Sequence, residues 1–290
     1  MYDVTARKIV DKAISTFNDI RRGIESHGIN LNNVSPLEYG NIIRNQLTRW
    51  SDISDTVIPL GSLNVGDIIQ IPFVAPSPHI RAYRIIQKGT PTTPTQIFNE
   101  GWTYQGFDNT VTVQQIHRLE TGIARSNVIY LNSTLETWLR NTFSTWVHPS
   151  ICNMAIEAEW PTQTIISTNP PASHAHTVFR MPFKAVVLNH VELGFPTTTT
   201  SMMHIGSPFT FWVGAPSRVY TDFAGTASRW HNRSTGNSPN LVPSIETNGT
   251  INQAQPTLWT AHGTIMGVRP VMVFPENARV SVGGRVLIAD

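Results

Sequence analysis

The spacing of apolar residues changes character once along the chain. Over residues 3–27, Ile9, Ala13, Phe17, Ile20 and Ile24 recur at steps of three or four, with Lys8, Lys12, Asp19 and Arg22 mostly elsewhere. That is the period of an amphipathic helix. Gly28 fits the position after its C-terminus, where a left-handed residue commonly ends a helix. A second helix is predicted from "SPLE": Ser35 as N-cap, Pro36 at the first helical position and Glu38 two residues later, a capping box with proline where its missing N–H does no harm. Leu37, Ile43, Leu47 and Trp50 form its apolar side. Two helices from about 50 residues bury little surface by themselves. Their stripes need another face, which could be the rest of this chain, further copies of it, or another protein.

From Ser51 the helical period fades and short β-rich runs appear between Gly, Pro and Thr. The runs are "DIIQIPFV", "IRAYRIIQ", "TVTVQQI", "NVIYL", "AVVLNHVELGF", "FTFWVGA", "VRPVMVF" and "RVSVGGRVLIA". Alternation is clear in "HIRAYRIIQ", where Ile80, Ala82, Arg84 and Ile86 oppose Arg81, Tyr83 and Ile85. One helix interrupts the strands. "NSTLETWLRNTFSTW" sets Leu135, Trp138, Leu139 and Phe143 on one face behind an N-cap at Asn132 or Ser133. The adjacent glycines of "SVGGRV" predict a hairpin turn. "HNRSTGNSPNLVPSIETNGTINQAQP" reads as one long loop, a length that is usually functional or ordered by a partner. The expected fold is α+β: an N-terminal helical hairpin over 1–50, then a loop-rich, mainly antiparallel β domain over 51–290 with one inserted helix.

Charge narrows the function. Lys plus Arg number 21 and Asp plus Glu 19, a net charge of +2, which is too balanced to argue for nucleic acid or an anionic membrane. Charged residues make up 14%, against roughly a quarter in ordinary domains. Thr, Ser, Asn and Gln fill the polar quota, a surface suited to packing in assemblies or meeting sugars. The N-terminal sequence is charged from position 3 and carries no signal-peptide pattern. No run of about 18 apolar residues predicts a membrane span. The single cysteine, Cys152, excludes a disulfide within the chain and a zinc ribbon; its apolar flanks read as a buried thiol.

Candidate chemistry is sparse. His174 and His176 stand two apart in "SHAH"; on a strand they would share a face and could hold one metal ion, whereas after "NPPAS" they read more naturally as solvated loop residues. Glu157 and Glu159 in "AIEAEWP" read as exposed strand glutamates, because glycosidase carboxylates normally face each other across a cleft. No nucleophile elbow, zinc helix, phosphate loop or dinucleotide fingerprint is present, and no cofactor is called for. Aromatic and polar residues mix in "ASRWHNRSTGN" and "PTLWTAHG". Trp230, His231, Asn232, Arg233 and Trp259 are therefore candidates for receptor contact; packing between loops and sheet is the equal alternative.

Three stretches carry a resemblance. "LNVGDIIQIPF…HIRAYRIIQKG" resembles the opening strand pair of a domain family of unknown biochemical function found in bacteria and phages. "YLNSTLETWLRNTF" resembles its motif "yaNSdLRqWLNntF". "FTFWVGAPS" followed by "GVRPVMVF" resembles its closing "WWLRSp" and "gVRPal", with "WVGA" replacing "WLRS". Together they span roughly Leu63 to Phe274. The closing pattern is also similar to the formylglycine-generating-enzyme branch of C-type-lectin-like folds, without the reactive cysteine pair. "ARKIVDKAISTFNDIRRGIESHGI…SPLEYGNIIRNQ" resembles the helix–Gly–loop–helix segment of phage tail, baseplate and fibre proteins.

These resemblances imply a bacteriophage virion structural protein, a tail-tip, baseplate or tail-fibre subunit, assembled in the host cytoplasm. It would be a homo-oligomer, most naturally a trimer, meeting other virion proteins and a host cell-surface glycan. The expected mechanism is binding rather than turnover. The alternatives are a head-fibre, neck or capsid-decoration protein without receptor role, and a glycan-degrading enzyme on the same scaffold.

"GTIMGVRPVMVF" poses a separate problem, because Arg269-Pro270 interrupts a core-like apolar run. Arginine is seldom buried without a partner and proline cannot donate to a sheet. The expectation is structural. Gly267 allows a bend or close approach. Arg269 points inward, its donors holding carbonyls of irregular loops. Pro270 sits at an edge or strand start. Trp138 and Leu139 are the matching structural residues of the inserted helix.

Overall fold

The computed structural model describes residues 56–76, 79–92, 104–117, 119, 130–163, 176–180, 184–195, 206–214, 217–221, 226–227, 229–234, 241–256 and 266–288. The helical hairpin expected over 1–50 lies outside them. The strands are β1 (Val57–Pro59), β2 (Ile68–Phe73), β3 (His79–Lys88), β4 (Thr110–Gln115), β5 (Glu159–Gln163), β6 (His176–Arg180), β7 (Trp230–His231), β8 (Leu241–Ile245), β9 (Ile251–Pro256), β10 (Val271–Pro275), β11 (Arg279–Ser281) and β12 (Leu287–Ile288). Between β4 and β5 run α1 (Thr134–Trp138), a π turn (Leu139–Phe143), α2 (Ser144–Trp146) and α3 (Pro149–Met154).

The central sheet has the order β10-β4-β3-β2, antiparallel throughout. In β2 the period of two buries Ile69, Ile71 and Phe73. In β3 the alternation breaks at a bulge between Ile85 and Gln87, and Ile85, Ile86 and Gln87 are all buried, since an extra residue turns one more side chain inward. All six residues of β4 are buried because both faces of the sheet are covered.

One face is apolar and meets the helical segment. Val111 and Val113 line it, and Phe143 packs edge-on against Phe73 at 5.8 Å. α1 starts where Ser133 Oγ accepts the Glu136 N–H at 3.2 Å, so Ser133 rather than Asn132 is the cap. Leu135, Leu139 and Phe143 are fully buried as the spacing predicted. Trp138 is half-buried, 5.3 Å from Trp146 and 5.8 Å from Phe143.

The other face is polar. Arg84 and Val271 flank Gln114 in register, and Gln87 and Val273 flank Thr112. Thr210 covers it from above, its N–H and hydroxyl both donating to Gln87 Oε1 at 2.8 and 2.7 Å. A layer of mostly irregular chain, drawn from 184–195, 206–214, 217–221 and 229–234, lies over this face. Smaller antiparallel sheets complete the described structure, β1-β11-β12, β5-β6 and β7-β8-β9. The described chain is thus α+β at the coarsest level, mainly antiparallel β with a short helical insertion.

Several sequence expectations need correction. "AVVLNHVELGF" is not a strand. Only Val186 bridges a strand, at Val271, and 190–194 form turns. "FTFWVGA" is a 3-10 turn at Thr210–Trp212. The first run is apolar because it is buried; in the second, Phe209 and Trp212 are buried while Thr210, Val213 and Gly214 are exposed, and burial alone does not specify extended backbone. "NVIYL" reaches the described residues only at Tyr130 and Leu131, a bend and a turn. Conversely, the long loop contains the β8–β9 hairpin. Its turn carries Asn248-Gly249, with Gly249 at φ +81°, a hairpin signal masked by Pro243.

Candidate functional site: a loop layer held by buried charges

The layer has little ladder of its own, so its backbone groups need other partners. Side chains supply them. In the turn at 189–192, Asn189 Oδ1 accepts the Glu192 N–H at 2.9 Å while Glu192 Oε2 accepts the Asn189 N–H at 3.0 Å. This reciprocal pair fixes the turn much as a capping box fixes a helix start. Arg218 then donates from Nε to Leu193 O at 2.7 Å and from Nη2 to Gly194 O at 2.8 Å. Gly194 has φ +71°, and a Cβ there would lie 2.4 Å from Trp212 O, so no larger residue fits without backbone movement.

Arg233 ties this turn to β7. Nη1 donates to Val187 O at 2.7 Å, Nη2 pairs with Glu192 Oε1, and the guanidinium lies 5.0 Å from the Trp160 ring centre. The ion pair is almost wholly buried, at 1% and 0% side-chain exposure. Burial pushes the Glu192 carboxyl up, opposed by Arg233, the Asn189 N–H and the Tyr104 hydroxyl. Tyr104 also accepts the Ser207 N–H at 3.0 Å. Burial and the Glu192 charge hold its hydroxyl well above the ordinary tyrosine range.

Alongside, Ser234 Oγ accepts the His190 N–H at 2.9 Å and lies 2.8 Å from His190 Nδ1. Ser234 N–H in turn donates to Asn232 Oδ1 at 2.9 Å. A serine–imidazole contact invites a nucleophile reading. Here the hydroxyl is buried and holds a backbone donor, so it acts as a tie between two loop segments.

Arg269 is the second centre. It is 1% exposed, inward as expected. Nε donates to Gln115 O at 3.0 Å, a carbonyl at the end of β4 and not of an irregular loop. The guanidinium stacks 3.3 Å from the Tyr220 ring centre and 4.8 Å from that of Trp230. Burial brings it down to about 10, opposed by the Tyr220 hydroxyl that bonds it, with Arg84 nearby adding repulsion, so it stays charged at neutral pH. Pro270 stands just ahead of β10, and its carbonyl accepts the Gln115 N–H at 2.9 Å. Gly267 pairs with β7: its N–H donates to Arg229 O, and its carbonyl accepts the His231 N–H, both at 2.9 Å.

The receptor-contact reading of Trp230, His231, Asn232 and Arg233 is therefore corrected. All four are buried, between 0% and 1% exposed: Trp230 stacks on Arg269 and the His231 N–H donates to Gly267 O, while Asn232 and Arg233 bond within the layer. Trp259 and His174 lie outside the described residues. His176 opens β6 opposite Gln163. Among the described residues, no group of three or more His, Cys, Asp or Glu could hold a metal ion. Cys152 is half-buried in α3, its thiol pushed up by burial, which keeps it in the unreactive form.

Tyr104, Asn189 and Glu192 escaped the sequence reading. A lone carboxylate inside an otherwise apolar run, as in "VELGF", is the signal that would have found Glu192. Among the described residues, no helix is long and apolar enough to cross a membrane. No family model matches the chain, and no curated protein or solved structure matches it.

Proposed function

We propose that the chain is a bacteriophage virion structural protein of the tail-tip, baseplate or fibre type, acting by binding. The observation that carries this reading is the arginine-clamped loop layer on a doubly covered antiparallel sheet. Loops held rigidly by a scaffold are the usual vehicle of recognition. Here the charged side chains serve to fix the loops, and the fold around them supplies neutral polar surface. A C-type-lectin-like arrangement, loops carried on short antiparallel sheets, belongs to the same proposal. So does assembly into a homo-oligomer through residues 1–50.

With Trp230 to Arg233 committed to the frame, Trp259 is the remaining aromatic candidate for glycan contact. Electron microscopy of virions labelled with antibody to this chain tests the location. Label at the tail tip or baseplate supports the reading, and label confined to capsids contradicts it. Trp259→Ala is expected to lower adsorption to host cells at least several-fold; unchanged adsorption would remove the glycan role.

A further inference from the structure

Between the polar sheet face and the loop layer lie two arginines, Arg84 and Arg269, with no carboxylate partner among the described residues. Arg84 and Gln114 are cross-strand partners, and the other partner of Gln114 is Val271, two residues beyond Arg269. All three side chains face the same layer. Arg84 lies 4.8 Å from the Phe211 ring centre, and Arg269 stacks on Tyr220 and Trp230. Phe211, Trp212, Tyr220 and Trp230 form a continuous chain of edge-on contacts, with centres 4.9, 5.9 and 5.8 Å apart.

Inside this aromatic lining, buried polar atoms are left over. Arg269 Nη1, Trp230 Nε1, Trp212 Nε1 and both side-chain polar atoms of Gln114 have no hydrogen-bond partner. Gln114, Trp212, Trp230 and Arg269 are each 1% exposed. Among the described residues, no carboxylate lies within ion-pair distance of Arg84 or Arg269.

A buried cation without a counter-charge is costly, and so is each orphaned donor. Aromatic faces offset part of the first cost and none of the second. Water would satisfy single donors but would leave the charge unbalanced. Donors also outnumber acceptors here: a guanidinium, two indoles and an amide, against the Tyr220 hydroxyl, which already bonds the Arg269 guanidinium, the Gln114 carbonyl and the Thr112 hydroxyl, which is also unpartnered. That imbalance selects an acceptor-only guest carrying negative charge.

We infer that a small monovalent inorganic anion, chloride in ordinary buffers, binds between β4 and the loop layer against Arg269 Nη1, the Gln114 amide and the Trp230 indole N–H, with Arg84 as a second positive neighbour. It completes the clamp that holds the layer to the sheet. The site is independent of the proposed virion role.

The test uses the full chain. Chloride is titrated against gluconate at constant ionic strength while the unfolding midpoint is followed. Binding to the folded state alone raises Tm by about 2–4 °C once chloride exceeds its Kd a few-fold. Gln114→Leu keeps the volume, removes the amide and is expected to abolish the chloride dependence while the protein still folds. Crystals grown in bromide should show an anomalous peak within hydrogen-bond distance of Arg269 Nη1. A Tm insensitive to chloride overturns the inference, as does bromide density elsewhere only. A bromide peak without chloride dependence marks an adventitious ion only and equally overturns it. A dependence that survives unchanged in Gln114→Leu moves the site away from these residues and overturns it too.

Discussion

The two faces of the central sheet are held by different physics. On the helical side, Phe73, Val113, Leu135, Leu139 and Phe143 bury apolar area, an attraction without direction. On the loop side, Arg218, Arg233 and Arg269 fasten carbonyls one by one, an attraction that is all direction. The comparison teaches why an irregular layer can be as fixed as a helix. Segments that satisfy their own backbone need only area. Segments that do not must import donors, and arginine brings five on one rigid fork.

The sharpest way to break the comparison is to remove one anchor from each face. Phe143→Ala is expected to cost about 3–5 kcal/mol through its cavity. Arg233→Ala should cost a similar ~3–5 kcal/mol, because Glu192 is left buried without its counter-charge. Denaturant unfolding measures both. The faces separate in the second variant. Glu192→Gln added to Arg233→Met should recover much of the loss, since the damage is an orphaned charge and the amide oxygen still accepts the Asn189 N–H. No second substitution of that kind refills the Phe143 cavity.

Next in size is Arg269→Ala, at about 2–4 kcal/mol from lost stacking and an emptied buried site. Arg269→Lys should rescue little, because an ammonium neither stacks between Tyr220 and Trp230 nor reaches like a fork. A mutant as heat-stable as the parent would refute the structural role. Gly194→Ala should follow, at roughly 1–3 kcal/mol for a left-handed residue whose Cβ meets Trp212 O. Its effect should fall on the loop layer.

Much of the sheet is legible in the sequence. β2, β3, β4, β10 and the β11–β12 hairpin announce themselves by alternation, turn residues or buried runs. The Ser133 cap and the Leu135–Leu139–Phe143 face follow from helical spacing. The loop layer is illegible for a physical reason. "AVVLNHVELGF" is apolar because it is covered, as are Phe209 and Trp212 of "FTFWVGA", and a covered turn reads like a covered strand. Its anchors are long-range: Tyr104 reaches Ser207, and Arg233 reaches Val187, pairs that no local period encodes. Trp230 to Arg233 show the same blindness from the other direction. A polar-aromatic cluster looks like a contact surface until its partners are seen beneath it.

The smallest expected effect lies at the rim. The Asn64 N–H, aided by Arg285, holds the Asp67 carboxyl below its ordinary value of 3.8. A depressed carboxylate stabilises the fold above its unfolded value and loses that contribution as pH falls through the folded one. Asp67→Asn should therefore lower stability at neutral pH, by less than about 1 kcal/mol for so solvated a group. The difference from the parent should shrink as pH falls through the lowered folded-state value and vanish below it. A constant difference across that range would exclude ionisation as its source.

Amide hydrogen exchange on Arg233→Met tests the central claim most directly, because it reads the two faces separately in one sample. The Phe195, Phe209 and Arg233 amides, bonded to His190 O, Glu192 O and Leu188 O, should exchange about tenfold faster or more, as a local loss of ~1.4 kcal/mol requires. The amides of β4 should keep most of their protection. Equal acceleration in β4 and the loop layer, or none in either, would contradict an account in which buried charges hold the loops and apolar area holds the sheet.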